Sequence, residues 1–266
     1  MPTVLSEPPV TTLTDFTALI EKRLTSSKHP LWHRGCADFG NFTLAPSLYR
    51  HPTIKVAKEL LELEMKILAH FRQRSDPFIT RPLREDPWER LFFMQHFEIP
   101  TRLLDWSENP FVALFFALTS TPEKPDADAA VWMLDPIAWN QKALEHIGFK
   151  DGVLSVGDDK LDRFGAGTDE ADMNTDPVAI YGYHNSARIV AQRGVFTIAG
   201  KDTTPMEDIY KKRDYPADCL IKVRVPYAEK SNLLKSLINV GLTHSVVYPD
   251  LVGFAKEMKQ HFGFKL

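Results

Sequence analysis

Residues 95–117 read QHFEIPTRLLDWSENPFVALFFA, and two prolines divide them. Proline lacks a backbone donor, so Pro100 ends a helix that reaches it, while Pro110 suits the first position of a new one. The segment from Pro110, PFVALFFALTS, is apolar nearly all round, so a helix there must be covered on every side. Between the prolines, TRLLDWS suits a short strand. A helix, a strand and a covered helix in direct succession require a layered fold that contains both element types.

The polar residues at this junction exceed what capping requires. His96, Glu98, Thr101, Arg102, Asp105, Ser107, Glu108 and Asn109 surround the start of the apolar helix. Ser107 or Asn109 can cap it. A helix start also presents free N–H groups and the positive end of the dipole, which favour an anion. Binding groups gather at the ends of elements, so the cluster is expected to face a pocket floored by the helix. His96 would reach it from the preceding helix, Thr101 and Asp105 from the strand, and Ser107 and Asn109 from the helix start. Period-two alternation puts Thr101, Leu103 and Asp105 on one face and Arg102 and Leu104 on the other. With Asp105 toward the pocket, Arg102 braces the scaffold from behind.

Along the rest of the chain, residues 1–11 are rich in Pro and Thr and predict an extended segment, followed by a helix capped by Thr14 or Asp15. Val56, Leu60, Leu63, Ile67 and Phe71 share one face of a long helix. Asp86 and Pro87 start another. Strands are expected near residues 31–35, 101–106, 130–134, 188–198, 219–225 and 243–248, the last of these beside a helix that ends at Gly241. The expected fold is α+β, with a mixed or largely antiparallel central sheet and helices around it. Residues 151–176 hold eight acids, two bases and four glycines, which predicts a solvated, flexible insertion. The domain organisation expected is an N-terminal extension and helix over 1–29, one globular domain over 30–256 and a helix end over 257–266.

Totals narrow the function. A net charge of −3 and a pI near 6.3 give no global basic field for nucleic acid. No apolar run reaches the ~18 residues of a membrane span, so no membrane partner is expected. The N-terminal stretch lacks a basic region followed by an apolar one, and Cys36 and Cys219 are too few for a disulfide framework. A reducing cytoplasm is the expected location. Phosphate-binding glycine loops, nucleophile elbows and HExxH are missing from the sequence. The histidines are scattered. His33, His96 and His184 would form a metal site only by converging in space, and no metal is expected.

Two further polar clusters lie at predicted strand edges. WHRG, residues 32–35, offers the fixed guanidinium of Arg34 beside Gly35, a combination suited to a phosphate or carboxylate, or else to a structural ion pair. NSARIVAQRGVFT, residues 185–197, sets Gln192 and Arg193 before Gly194. On a strand, alternation places Arg188, Val190 and Gln192 together.

These clusters carry a resemblance. HRG (33–35), LAPSLYR (44–50), Glu64, QHFEIPTRLLDWSENPFVALFFA, SARIVAQRGVFT and LTHSVVYPDLVGFA (242–255) resemble the FRG-domain proteins of bacteria and phages, over roughly residues 30–256. His33 stands where the motif has Phe, and Glu98 where Gly is usual. The order of the motifs resembles that of ADP-ribosyltransferases. The resemblance implies an NAD-consuming transferase or glycohydrolase, a toxin or phage-defence effector, acting on a protein or nucleic-acid acceptor. It implies that Arg34 and Gly35 hold the NAD pyrophosphate, with Thr101, Ser107 and Asn109 also on the ligand. Trp106, Phe97 or Tyr181 would stack on the nicotinamide. Asp105, or Glu64 as second choice, would stabilise the ribosyl cation, and Gln192 would orient a ribose hydroxyl without acting as a strong base. Two alternatives stay open: a non-catalytic nucleotide or nucleic-acid binding module, and a hydrolase or nuclease using His96 and Asp105.

Overall fold

Pro87 and Pro110 each start a helix as the sequence predicts, while the helix expected to stop at Pro100 already ends at His96, in a turn through Glu98. Asp86 caps one helix by accepting from the Trp88 amide, and Asn109 caps the next by accepting from Phe111. The computed structural model describes residues 5–79, 83, 85–184 and 186–264. In chain order the elements are β1 (Leu5–Glu7), α1 (Leu13–Ser26), β2 (Trp32–Cys36), α2 (Ala57–Arg74), α3 (Pro87–His96), β3 (Leu103–Ser107), α4 (Pro110–Thr119), β4 (Ala129–Leu134) and α5 (Pro136–Ala143). They continue with β5 (Leu154–Ser155), β6 (Val178–Tyr181), α6 (Ala187–Ala191), β7 (Gly194–Ile198), α7 (Met206–Lys212), β8 (Leu220–Val225), α8 (Tyr227–Asn239), α9 (His244–Val247) and α10 (Leu251–His261).

The strands form one eight-stranded sheet in the order β1-β8-β4-β2-β3-β7-β6-β5. Pairing is antiparallel from β8 across to β6 and parallel at both edges, β1 on β8 and β5 on β6. The fold is therefore α+β with a mixed sheet flanked by helices. Among the described residues no helix is long and apolar enough to cross a membrane.

Alternation sorts the core. Val131 and Met133 of β4, with Ile221 and Val223 of β8, pack against α4, α1 and α8. Trp132 and Leu134, with Leu104 and Trp106 of β3, pack on the other face against α7 and Trp139 of α5. Helix α4 is buried over most of its length, from Val112 to Leu118, and each buried Leu or Phe contributes about 1.5–3 kcal/mol. It lies so close to β2 that a Cβ at Gly35 would collide with the Ala113 carbonyl oxygen and the Ala117 amide nitrogen. Gly35 was expected to leave room for a ligand. Its missing side chain instead makes room for a helix.

Arg102 is fully buried just ahead of β3. Its Nε donates to Glu64 of α2 at 2.9 Å, and its terminal nitrogens donate to the carbonyls of Ala199 at 2.9 Å and Phe164 at 2.6 Å. The expected scaffold role of Arg102 matches this placement.

Several expectations need correction. Residues 188–191 are helical because the Ser186 hydroxyl accepts from the Ile189 amide and caps a turn. Residues 244–247 are also helical, since burial falls on His244 and Val247, three apart, both packed toward α4. The first helix is capped by Thr12, whose side chain and that of Asp15 bond each other's backbone amides. On α2 the buried line is Leu60, Glu64 and Leu68, while Val56 precedes the helix and is exposed. The acidic stretch 151–176 contributes β5 and buries Leu154, Leu161, Phe164 and Met173. Residues 1–4 of the expected extended segment, Asn185 of the third cluster and residues 265–266 of the expected helix end lie outside the described residues.

Two outcomes test this packing. Gly35→Ala should lower stability by about 1–3 kcal/mol or more, through overpacking against α4. Arg102→Ala should cost about 3–5 kcal/mol by leaving Glu64 buried and unpaired, while the double change Arg102→Met, Glu64→Met recovers most of it. Denaturant melts of the variants read both effects.

Candidate functional site

β2 and β3 are neighbours, yet among the described residues their register joins only His33 with Ser107. β2 pairs β4 along its whole length, and so does β3 with β7. The sheet therefore opens between β2 and β3 beyond His33. Arg34 reaches into the opening, and its guanidinium donates to the Asp105 carbonyl at 2.5 Å. A side chain from β2 thus bonds β3 where the backbone ladder has stopped.

A cavity of about 460 Å³ lies at this opening, within the size range of small-molecule sites. His33, Arg34 and Gly35 line it from β2, and Asp105, Trp106 and Ser107 from β3. Gln95, His96 and Glu98 come from the end of α3, Arg188 and Gln192 from α6, and Arg50 from the 3₁₀ turn Ser47–Arg50. Helix α4 supplies Ala113 and Phe116, so the apolar helix does floor a polar cavity.

The cations outnumber the carboxylates. Arg34, Arg50 and Arg188 face Asp105 and Glu98. Among the described residues, none of the three guanidiniums is held in an ion pair, unlike Arg23, Arg102, Arg213 and Arg224. Arg188 stacks over the Tyr248 ring at 4.8 Å. Burial, and then the like charge of Arg34, lower the pKa of Arg50.

Asp105 is braced from one side. Its Oδ2 accepts from Gln95 Nε2 at 2.8 Å, and Gln95 Oε1 accepts from the Thr101 hydroxyl at 2.5 Å. The carboxyl is open to water through the cavity and enclosed by protein elsewhere. That enclosure raises its pKa above the ordinary 3.8, against the opposing influence of Arg34, Gln95 and Arg188. Burial and Arg188 lower the pKa of His96, whose Nδ1 lies 3.5 Å from the Ser186 hydroxyl. His33 is buried, and desolvation lowers its pKa to about 4, so its ring is neutral near pH 7.

Of the residues expected at the site, Arg34, Gly35, His96, Asp105, Trp106, Ser107 and Gln192 line the cavity. Glu64, Thr101 and Asn109 do not. Glu64, the second choice of carboxylate, is buried against Arg102. Thr101 is buried and holds Gln95, and Asn109 is occupied as the α4 cap. The Trp106 indole turns into the core and donates to Thr197 at 3.1 Å, so it has no free face for stacking. Phe97 and Tyr181 lie outside the lining, as does His184, so the three histidines do not converge. No group of three or more His, Cys, Asp or Glu suited to a metal ion occurs among the described residues.

Arg50 and Gln95 were not singled out from the sequence, and Arg188 was grouped with Gln192 only as a neighbour on an expected strand. Arg188 and Gln192 share the cavity because they are four apart on a helical turn, with Val190 facing solvent. Reading Ser186 as a cap would have shown this.

Residues 29–126 match the family model of the FRG domain. That segment, and not the whole chain, is similar to the FRG domain. The matched segment of the FRG domain holds β2, the Ser47–Arg50 turn, α3, β3 and α4, hence Arg34, Arg50 and Asp105; α6 and Gln192 lie beyond it. No curated protein and no solved structure matched the chain.

Glu98, at the position where the FRG motif resembled in the sequence has Gly, has φ of 60°, in the left-handed region. The tight turn is present, and Glu adopts it at a cost. Glu98→Gly should therefore raise stability by about 0.5–1 kcal/mol, the relief of strain exceeding glycine's extra chain entropy. A melt showing a loss instead would mean that the Glu98 side chain stabilises the turn.

Proposed function

We propose that this protein is an NAD-consuming enzyme of ADP-ribosyltransferase type, with its substrate seated at the opening between β2 and β3. One observation carries the reading: three guanidiniums without an ion pair among the described residues and a carboxylate open to the cavity converge where the sheet parts. Arg34, with Arg50 beside it, suits the pyrophosphate, because an anion there relieves the repulsion between two like charges.

In this reading the bond that breaks joins ribose C1′ to the nicotinamide nitrogen. Its electron pair leaves with nicotinamide, which departs neutral, and the ribosyl carbon becomes cation-like. The Asp105 carboxylate, fixed by Gln95, stabilises that charge in a partly desolvated place. Water or an acceptor nucleophile then bonds C1′ and loses its proton. Glu98, the other carboxylate on the cavity, is placed to receive it. A binding module without turnover is the second reading. It is favoured by Gln192, whose amide already donates to the Val247 carbonyl at 3.1 Å and is not free to orient a ribose.

Nicotinamide release from NAD tests the proposal. Asp105→Asn should keep the fold and lower turnover by about 10²–10³-fold, and Arg34→Ala should raise KM with the fold intact. Only ionised Asp105 stabilises the cation, and its pKa is raised in the folded protein. Turnover should therefore fall as pH drops through a value above 3.8. Ligand-induced stabilisation without nicotinamide release would favour the second reading.

A further inference from the structure

The sheet order puts β3 between β2 and β7. Arg34 enters the cavity from β2, and Arg188 enters it from α6, the turn that leads into β7. Asp105 of β3 therefore stands between two cationic positions: burial raises its pKa, and both guanidiniums oppose that. Neighbouring strands lie about 4.8 Å apart, so the backbones on either side of Asp105 are about 10 Å from each other. Arg50 belongs to the Arg34 side, since after burial the like charge of Arg34 lowers its pKa most. His96 belongs to the other side, since after burial it is Arg188 that lowers its pKa.

The guanidinium of Arg188 is oriented and unused. It lies over the Tyr248 ring, 4.8 Å from the centroid. Stacking occupies the face of a guanidinium and leaves the N–H donors at its edge. Among the described residues none of these donors meets a hydrogen-bond acceptor or an ion-pair partner. The side chain is partly exposed and lines the cavity, so the donors are open to a ligand. Lys256 of α10 approaches the same ring, its Nζ 5.8 Å from the centroid, and is exposed. Nearby acids are engaged within α9 and α10. Asp250 accepts from the Gly253 amide at 2.7 Å, and Glu257 from the Ser245 amide at 3.1 Å. Cations thus continue from Arg34 and Arg50, past Asp105, to Arg188 and out to Lys256. The exposed ring of Phe97 lies edge-on against His96, 4.8 Å between centroids, and offers a face on which a base can stack.

In the reaction proposed above, the pyrophosphate lies on Arg34 and Arg50 and ribose C1′ lies beside Asp105. Arg188 is then past the ribosyl carbon, on the side where nicotinamide leaves and the acceptor arrives. Nicotinamide offers a guanidinium no anion, so an anion at Arg188 belongs to the acceptor. Cations at successive depths match successive phosphates of one strand, whereas a single phosphorylated side chain would use one of them. A recessed cavity admits a nucleotide of a single strand and not a duplex. We infer that Arg188 and Lys256 bind the phosphodiester backbone of a single-stranded nucleic acid, and that this strand is the acceptor. A hydroxyl or base nitrogen of the strand bonds C1′ and gives its proton to Glu98, as nicotinamide departs with the electron pair of the broken bond. The acceptor role rests on the proposed reaction; the binding of the strand does not.

The test uses the full chain and fluorescein-labelled single-stranded DNA and RNA of about ten nucleotides, followed by fluorescence anisotropy over a salt series. A DNA duplex and a phosphoserine peptide serve as comparisons. A single strand should bind more tightly than the duplex, with log K falling linearly with log salt. Arg188→Ala should weaken it about tenfold. Arg188→Ala and Lys256→Ala should each reduce the salt slope by about 0.7, one phosphate contact, while Arg188→Lys, which keeps the charge, retains the slope. Lys256→Ala changes an exposed side chain, so its Tm should stay unchanged, and its smaller slope reports contact and not folding. With NAD present, mass spectrometry should show an ADP-ribosyl group on the strand. The inference is overturned if neither single strand binds, if the duplex binds as tightly, if both alanine variants keep the full slope, or if only the phosphopeptide depends on Arg188. Nicotinamide release that leaves a bound strand unmodified overturns its acceptor role. Strand binding without nicotinamide release from NAD removes only the proposed reaction and the role that rests on it.

Discussion

The buried guanidinium of Arg102 joins three distant parts of the chain at one point. It collects Glu64 from the long second helix, the Phe164 carbonyl from the acidic segment and the Ala199 carbonyl just past β7. A charge this deep is tolerable only because each side of the guanidinium finds an oxygen. The geometry also fixes where β3 begins. With Arg102 turned to the scaffold, alternation leaves Asp105 no choice but the cavity side. The position of the carboxylate is thus set by a residue that never touches the site.

The second constraint is the incomplete ladder between β2 and β3. A continuous sheet would have satisfied its backbone internally and left no cleft. Here the pairing lapses after His33 and Ser107, and Arg34 bonds the freed carbonyl of Asp105. The close seating of α4 on Gly35 holds one lip of the opening, and the Gln95–Asp105 contact holds the other. The lips are held by independent elements, so the cleft belongs to the fold and does not depend on a mobile loop.

How much of this was legible in the sequence depended on whether the signal was local. The Pro-delimited helices, the alternating strands and the facing of Arg102 away from Asp105 could be read, since each rests on periodicity within a few residues. Residues 243–248 looked like a strand because Val246 and Val247 are β-branched, yet packing against α4 imposes a helical turn. The acidic stretch looked solvated because charge dominates its composition, while four scattered apolar residues decide its burial. Gly35 was read for its own freedom, when the helix that needs its missing side chain begins seventy-five positions later. Arg50 and Arg188 lie within quoted motifs, but convergence from a 3₁₀ turn and from α6 is a tertiary fact.

Among the described residues, the first and last strands in chain order pair with each other at one edge of the sheet. Leu5, Ser6 and Glu7 lie beside Ile221, Lys222 and Val223, more than two hundred positions away. During synthesis the N-terminal segment must wait for nearly all of this chain to emerge before it meets β8. Until then β8 has not joined the sheet either, and β4 presents a free edge next to the strand that carries Arg34. Closing so long a loop is slow, so the growing chain passes through a stage in which an open sheet edge is exposed to other molecules.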